Sequence, residues 1–444
     1  MKVLKFGGTS VGKPERMHAV ARLITQDGAR KLVVLSAVSG TTNSLIDIGD
    51  FIGKGDTAAA TAAIDKLRES YQAFIGGLYG SPEGLRKGQA VVTEHFDFIR
   101  SLTGKPYGVK ESKELVAEGE LISTELFIAY LHEIGVNAAL LPALDFMRID
   151  ADEEPLIDFT ERELGKALAA RPDVEIFITQ GFICRNPSGE IDNLKRGGSD
   201  YTASLVGAAI RSEEVQIWTD ISGMHNNDPR IVKNTFPIAE LTFDEAAELA
   251  YFGAKILHPF SIRPAKLYNI PVRLLNTMEP AARGTLITNT TTEDRDIKAI
   301  AAKDGITAIR IQSSRMLLAY GFLTRVFEVF QRFKTPIDVI TTSEVAVSLT
   351  IDNPAHLDEI VQELKAFSRV EVDRGLTIIC VVGSFSLDKH GIIARVFNSI
   401  KDIPVRMISF GGSVHNISML VVTEKKNDTL NALNEGLFQL AEAH

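Results

Sequence analysis

The sequence predicts an α/β protein: a mainly parallel sheet covered by helices on both faces, followed by two small ferredoxin-like α+β modules. Three observations carry this. Up to about residue 287, short β-rich runs alternate with helical stretches, the pattern of βαβ units. The polar run Thr288-Asn289-Thr290-Thr291-Thr292-Glu293-Asp294-Arg295-Asp296 then reads as a linker. Beyond it, Gly321-Phe322-Leu323-Thr324-Arg325-Val326-Phe327 recurs 70 positions later as Gly391-Ile392-Ile393-Ala394-Arg395-Val396-Phe397.

The elements follow in order. Residues 2–6 read as a strand running into the turn Gly7-Gly8-Thr9-Ser10, and Pro14 sits near the start of the next helix. Further strands are expected at 31–36, 138–142, 175–180, 215–219 and 272–275, with helices between them, for example 113–134 and 203–211. Active sites in such sheets gather at the carboxyl ends of strands. Those ends here are Lys5-Phe6-Gly7-Gly8, Ser36, Gln180-Gly181 and Thr219-Asp220. In the repeat, each glycine opens a helix. A proline then enters a β-run, 336–340 or 404–408, and an apolar strand follows, 345–351 or 417–422. That order suits ferredoxin-like modules.

Composition bounds the function. The chain has 444 residues, enough for two or three domains, and 45% of them are hydrophobic. A formal net charge of -9 argues against nucleic acid or an anionic membrane as partner. Cys184 and Cys380, far apart in apolar surroundings, suit a reducing cytosol and exclude a disulfide framework or zinc knuckle. The N-terminus lacks a signal peptide's apolar core, and no apolar run approaches the roughly 18 residues of a membrane span. A cytoplasmic protein is expected. His132-Glu133 has no second histidine at the zincin spacing, and no metal site is expected.

The chemistry begins at the first turn. Gly7, Gly8, Thr9 and Ser10 offer backbone N–H groups and hydroxyls to an anion, a helix N-terminus follows, and Lys5 adds a positive charge. The alternative is an ordinary glycine turn between strand and helix. Gly7 to Lys13 fits most of a P-loop, but Pro14 lacks the hydroxyl that pattern needs, so a P-loop is rejected. A second cluster is Lys195-Arg196-Gly197-Gly198-Ser199-Asp200-Tyr201-Thr202. Arg196 can grip a carboxylate with two prongs, and Asp200 is either a helix cap or part of a site. Thr219-Asp220, followed by Gly223 and Asp228-Pro229-Arg230, is either a surface loop or a holder of base and ribose. Lys255, in an apolar helical run, either snorkels to water or reaches a phosphate. Glu120 lies in the apolar helix Leu115 to Ile122 and needs a partner, either a substrate amino group or a structural arginine. Ser36 to Asn43, including Thr42, adds small hydroxyl residues after a strand. No nucleophile–base pair stands out. A substrate carboxylate is already a nucleophile at neutral pH, and needs only positioning and charge stabilisation.

Together and in order, these motifs resemble the aspartate kinases (aspartokinases). The matching stretches are Lys5-Phe6-Gly7-Gly8-Thr9-Ser10, Gly119-Glu120-Leu121, Arg196 to Thr202, Trp218-Thr219-Asp220 and Gly253-Ala254-Lys255-Ile256-Leu257-His258-Pro259. The repeat looks like that family's paired ACT modules. The resemblance implies an amino-acid-kinase fold over 1–290, a first ACT module over 297–370 carrying the first strand of the second, and a second module over 371–444. On that view the strand around 296–302 belongs with residues beyond 375. It further implies conversion of ATP and L-aspartate to ADP and 4-phospho-L-aspartate, the first committed step toward lysine, threonine and methionine. Mg²⁺ would arrive with ATP. The chain stops after the second module, so a monofunctional enzyme without a fused homoserine dehydrogenase is expected.

By the same resemblance, Lys5, Asp200 and Lys255 are catalytic. The nucleotide is bound by Lys5, Gly7, Gly8, Ser10, Thr219, Asp220, His225, Arg230, Lys255 and Ile256, and aspartate by Ser36, Thr42, Glu120, Arg196 and Ser199. The effector pocket comprises Met316, Gly321, Leu323, Asp338, Ser343 and Glu344. Asp338 and Glu344 suit a cationic effector, lysine, better than threonine. A homodimer or larger assembly through the ACT modules is expected. Two positions depart from the family: His225 where a tyrosine is common, and Lys195 where a glycine is. The alternatives are a glutamate-type or N-acetylglutamate kinase, an ACT-bearing sensor without catalysis, and a pyridine-nucleotide dehydrogenase. Respectively, the combination of this tail with residues 196–202, the intact Lys5, Asp200 and Lys255, and the lack of a G-x-G-x-x-G turn speak against them.

Overall fold

The computed structural model describes residues 1–194, 197–253, 257–293, 295–313, 320–386 and 390–438. They fall into two compact units. The first comprises Met1–Met224, Ala239–Phe243 and Leu257–Thr291, the second His225–Ile238, Asp244–Ile256 and Thr292–His444.

In the first unit the strands are β1 (Lys2–Phe6), β2 (Lys31–Leu35), β3 (Ala138–Leu140), β4 (Ile176–Gln180), β5 (Ile183–Arg185), β6 (Ile191–Asn193), β7 (Val215–Thr219), β8 (Glu240–Thr242), β9 (Val272–Asn276) and β10 (Thr285–Thr288). β5 and β6 pair as a separate ribbon; the rest form one sheet in the order β3-β4-β2-β1-β7-β9-β10-β8. Every neighbouring pair is parallel except β9–β10. The continuous apolar runs explain the centre of the sheet: β2 and β4 are buried at every position, as strands covered on both faces must be.

The helices are α1 (Gly8–Val11), α2 (Pro14–Thr25), α3 (Thr41–Gly53), α4 (Thr57–Leu78), α5 (Pro82–Ser101), α6 (Val109–Glu133), α7 (Ala143–Phe146), α8 (Ile157–Ala169), α9 (Gly198–Ala209), α10 (Phe243–Tyr251) and α11 (Arg263–Leu267). Their starts are chemically marked. Pro14 opens α2. The Asp56 carboxylate accepts from Ala59 N–H at 3.0 Å ahead of α4, and Ser81 Oγ accepts from Gly84 N–H at 3.0 Å ahead of α5. Glu111 reaches back to Gly108 N–H at 2.8 Å to start α6. The stretch expected as one turn and one helix after β1 is divided: α1 is a helical turn of its own, and α2 begins after Gly12-Lys13. One core joins Phe6, Val33 and Leu35 of the sheet to Met17, Leu45, Phe74, Phe96 and Phe127 of the helices.

The second unit holds a six-stranded sheet built on two long strands. β11 (Ile297–Gln312), α12 (Phe322–Arg332), β12 (Ile340–Thr342), β13 (Ala346–Ile351), α13 (Leu357–Lys365), β14 (Arg369–Gly383), α14 (Ile392–Ser399), β15 (Met407–Phe410), β16 (Asn416–Val422) and α15 (Lys426–Phe438) follow in sequence. The strand order is β12-β13-β11-β14-β16-β15. Each long strand serves twice. Residues 306–312 of β11 pair with the start of β14 and with β13, whereas 297–303 pair with the end of β14, which in turn pairs with β16. The register shifts where the two uses meet, and Gly305 and Gly375 sit there with φ of 78° and 68°, values that suit glycine.

The repeat has a local cause. Gly321 and Gly391 precede α12 and α14 with left-handed φ of 82° and 81°. Phe322 and Val326 fill one core, and Ile392 and Val396 fill the equivalent positions of another. The two proline-led strands begin later than expected, at Ile340 and Met407. Regular pairing starts beyond each proline, although Asp338 N–H already reaches Thr350 O at 2.9 Å.

Candidate active site

The carboxyl ends of β1, β2 and β4, with helices α6 and α9, supply the site's main groups. Lys5 is the penultimate residue of β1, and its Nζ lies 2.6 Å from Asp200 Oδ1, with both side chains largely buried. Asp200 stands in the first turn of α9, set up by Gly197 and Gly198 at φ of 88° and 35°. The ion pair thus joins a strand end to a helix N-terminus, where a carboxylate is stabilised. Room is tight on the chain leaving β1. A Cβ on Gly7 would stand 3.3 Å from Lys5 Nζ, and one on Gly8 would stand 3.0 Å from Ala37 O.

A cavity of about 430 Å³ opens beside this pair, lined by Gly8, Thr9, Ser36–Gly40, Thr42, Asn43, Glu120, Phe182, Gly198 and Ser199. Its most telling group is Glu120, 4% exposed on α6. One carboxylate oxygen accepts from Ala37 N–H at 3.2 Å. The other, Oε2, is buried with no hydrogen-bond partner. Burial pushes this carboxyl up to about 7, against the Ala37 N–H and the Lys5 charge. An unpaired acceptor of this kind is costly unless a ligand donor satisfies it. Around it, Ser36 Oγ donates to Ser199 Oγ at 2.9 Å, and Ser123 Oγ donates to Ser36 O at 2.8 Å. Thr124 Oγ1 donates to Glu120 O at 2.8 Å and accepts from Gln180 Nε2 at 2.8 Å, tying α6 to β4.

A model of the amino acid kinase family matches residues 1–276, and an ACT domain model matches 379–437. The chain is 34% identical over 448 residues to lysine-sensitive aspartokinase 3 of Escherichia coli, covering 98% of this chain and 99% of that protein. This chain belongs to the aspartokinase family. The crystal structure of E. coli aspartokinase III in complex with aspartate and ADP (R-state) matches with a TM-score of 0.83 at 34% identity, covering 99% of this chain and all of that one. The same enzyme in complex with lysine and aspartate (T-state) matches at 0.82 and 34%, covering 99% of each chain.

Of the residues singled out from sequence in this aspartokinase-family chain, Lys5, Asp200, Gly7, Gly8, Ser36, Thr42, Glu120 and Ser199 all lie at or beside this cavity. Ser10 does not line it. Its hydroxyl turns inward to Thr277 Oγ1 at 2.7 Å and Trp218 O at 3.4 Å. Thr219 ends β7, and its hydroxyl donates to Asp220 Oδ1 at 3.1 Å. His225 and Arg230 belong to the second unit. There His225 Nδ1 lies 3.1 Å from Thr235 Oγ1, and burial lowers its pKa. Arg230 is held by Asp228 through two contacts, at 2.9 and 2.7 Å. Of the effector candidates, Gly321 caps α12, Leu323, Ser343 and Glu344 are exposed, and Asp338 is buried in a charged cluster. Lys195, Arg196, Lys255, Ile256 and Met316 lie outside the described residues.

Sequence reading passed over Phe182, and named Ser39 and Asn43 only within the hydroxyl-rich stretch after β2, without a place in the site. Phe182 lines the cavity with φ of 70°, held by its N–H donating to Thr202 Oγ1 at 2.9 Å. Only the Gly181 before it hints at the constraint: a Cβ there would lie 2.4 Å from Ser199.

Proposed function

We propose that this chain transfers the γ-phosphoryl group of ATP to the β-carboxylate of L-aspartate, giving ADP and 4-phospho-L-aspartate, through residues around the Lys5–Asp200 pair. The observation that supports this most is the adjacency of that pair to a buried, half-satisfied Glu120 in one cavity. A carboxylate oxygen of aspartate attacks the γ-phosphorus as the bond to the β,γ-bridging oxygen breaks, so no protein nucleophile or base is needed. Lys5 neutralises charge on the transferred group, and Asp200 orients Lys5. Glu120 accepts from the substrate's ammonium, Arg196 grips a substrate carboxylate, and Ser36, Thr42 and Ser199 complete the pocket. Gly7 and Gly8 present backbone amides to the phosphates. Lys255, Thr219, Asp220, His225, Arg230 and Ile256 serve the nucleotide, with Mg²⁺ carried on its phosphate oxygens.

The second unit is read as paired ACT modules, 297–370 and 371–444, behind a catalytic domain of 1–290. They bind an amino-acid effector, L-lysine, and join copies of the chain into a homodimer or larger assembly. The E. coli relative named lysine-sensitive supports the choice of lysine, as do the carboxylates of Asp338 and Glu344. No helix among the described residues is long and apolar enough to cross a membrane, and we place the enzyme in the cytoplasm. A coupled ADP-release assay tests the reading. L-aspartate should be turned over in preference to L-glutamate, and faster turnover of glutamate would overturn it.

A further inference from the structure

Beside the cavity, α6 and β4 meet through polar side chains sunk in an apolar core. Glu120, Ser123, Thr124 and Gln180 are 4, 0, 0 and 1% exposed. Buried polar groups are costly unless each finds a partner, and stability alone would be served by apolar side chains here. Every side-chain oxygen and nitrogen of the four has a partner except Glu120 Oε2.

The direction of each bond follows from what its ends can do. Ala143 N–H can only donate, and it reaches Gln180 Oε1 at 2.8 Å. That fixes the amide, so Gln180 Nε2 faces Thr124 Oγ1, also at 2.8 Å, and donates. The single proton of Thr124 is then directed back along α6, to Glu120 O at 2.8 Å with Leu121 O beside it at 3.0 Å. One line of donors thus runs from α7 through β4 into the turn that bears Glu120. A second grip lies on the same turn. Ser123 Oγ donates to Ser36 O at 2.8 Å, and Glu120 Oε1 accepts from Ala37 N–H at 3.2 Å. Ser36 O and Ala37 N–H belong to one peptide group, so α6 holds both polar ends of a single peptide at the end of β2.

We propose that Ser123, Thr124 and Gln180 are positioning residues for the substrate ammonium: they fix the turn of α6 and one oxygen of Glu120, and so leave its other oxygen a single place from which to accept. This rests on the reading of Glu120 as the acceptor for that ammonium. A free glutamate samples many rotamers, and ordering one opposes binding. Here the ordering is done on folding.

The test is steady-state kinetics of the full chain in both substrates. Thr124→Val, which keeps the shape and removes the hydroxyl, should raise the aspartate KM about tenfold and leave the ATP KM within about twofold, the worth of one broken hydrogen-bond line. Thr124→Ser should restore it. Gln180→Met and Ser123→Ala should show the same split, and they decide if Thr124→Val does not fold. The double variant Thr124→Val/Gln180→Met should raise the aspartate KM no further than Thr124→Val alone, because both changes cut one line. An unchanged aspartate KM in these variants overturns the proposal. So does a parallel rise of both KM values, or an additive double variant, the marks of independent packing roles. Glu120→Gln is run beside them. If it raises the aspartate KM and the others do not, the positioning role falls and the reading of Glu120 stands. If it leaves the aspartate KM unchanged, the reading of Glu120 falls and the positioning role with it.

Discussion

Lys5 and Asp200 hold each other at 2.6 Å, and in the role proposed for it Lys5 is thereby held in place for charge that develops on the transferred group. Lys5→Ala should cost about 2.7–4 kcal/mol of barrier, or two to three orders of magnitude in turnover. The coupled assay measures this, with circular dichroism checking that the fold persists. Glu120 gives a pH signature. Its carboxyl titrates near 7 because burial favours the neutral form, and an ammonium needs the ionised form. Activity at low aspartate should therefore rise from pH 6 to 8, and Glu120→Gln should flatten that rise while weakening aspartate binding. Stability runs the other way. The folded state holds this proton more tightly than the unfolded chain, so the contribution is full below about 4.5 and is lost as pH rises through about 7. Glu120→Gln removes that loss of about 3 kcal/mol, and its urea midpoint at pH 8 should exceed the parent's. Glu120 was legible in sequence because a carboxylate inside an apolar helical run needs a reason. Phe182 was not, since a strained backbone dihedral leaves no mark in residue type beyond the glycine before it.

Among elements, α6 matters most. It passes so close to the loop after β2 that a Cβ on Gly119 would stand 2.9 Å from Ala37 Cβ, and Ala37 is the residue whose N–H holds Glu120. Gly119→Val should push α6 from that loop, raise the aspartate KM by an order of magnitude or more, and leave the ATP KM nearly unchanged. Steady-state kinetics in both substrates separates the two. On the far side of the same helix, His95 Nδ1 meets Glu118 Oε2 at 2.5 Å, and Nε2 meets Glu125 at 3.3 Å. Burial opposes the imidazolium, but these two carboxylates outweigh it and lift its pKa to about 9. That stability is complete below about 6.5 and is lost as pH rises through about 9. The melting temperature should therefore fall more steeply above pH 8 in the parent than in His95→Gln. Strands β1, β2, β3, β4, β7 and β9 were legible to within a residue or two, because their apolar runs end in turn residues, whereas the short β8 and β10 were passed over. The start of β12 was not, since Pro336 announces extended backbone and the pairing that defines the strand depends on β13.

For the whole molecule, the decisive device is the pair of long strands β11 and β14. Gly305 and Gly375 let each strand change partners midway. Open space surrounds both glycines, so Gly305→Ala should cost only backbone strain, about 1–2 kcal/mol, visible as a lower urea midpoint with uninhibited turnover retained. The repeated glycine-led helices made two modules legible in the sequence. Strand sharing has no local signature and came only with the family resemblance, which put the strand around 296–302 with residues beyond 375; the pairing of 297–303 with 378–383 bears this out.

That sharing makes the two modules unequal as pieces of text. Residues 306–374 form an aside between two brackets, with Asp304 and Thr377 already joined by a hydrogen bond at 2.8 Å where the brackets would close. Deleting the aside leaves a readable sentence: 297–303, the end of β14, β16 and β15 remain a continuous four-stranded sheet. Deleting the later module instead removes the second bracket and leaves the first hanging. The inner module is therefore one contiguous stretch of chain, whereas the outer one can be neither transplanted nor discarded in one contiguous stretch.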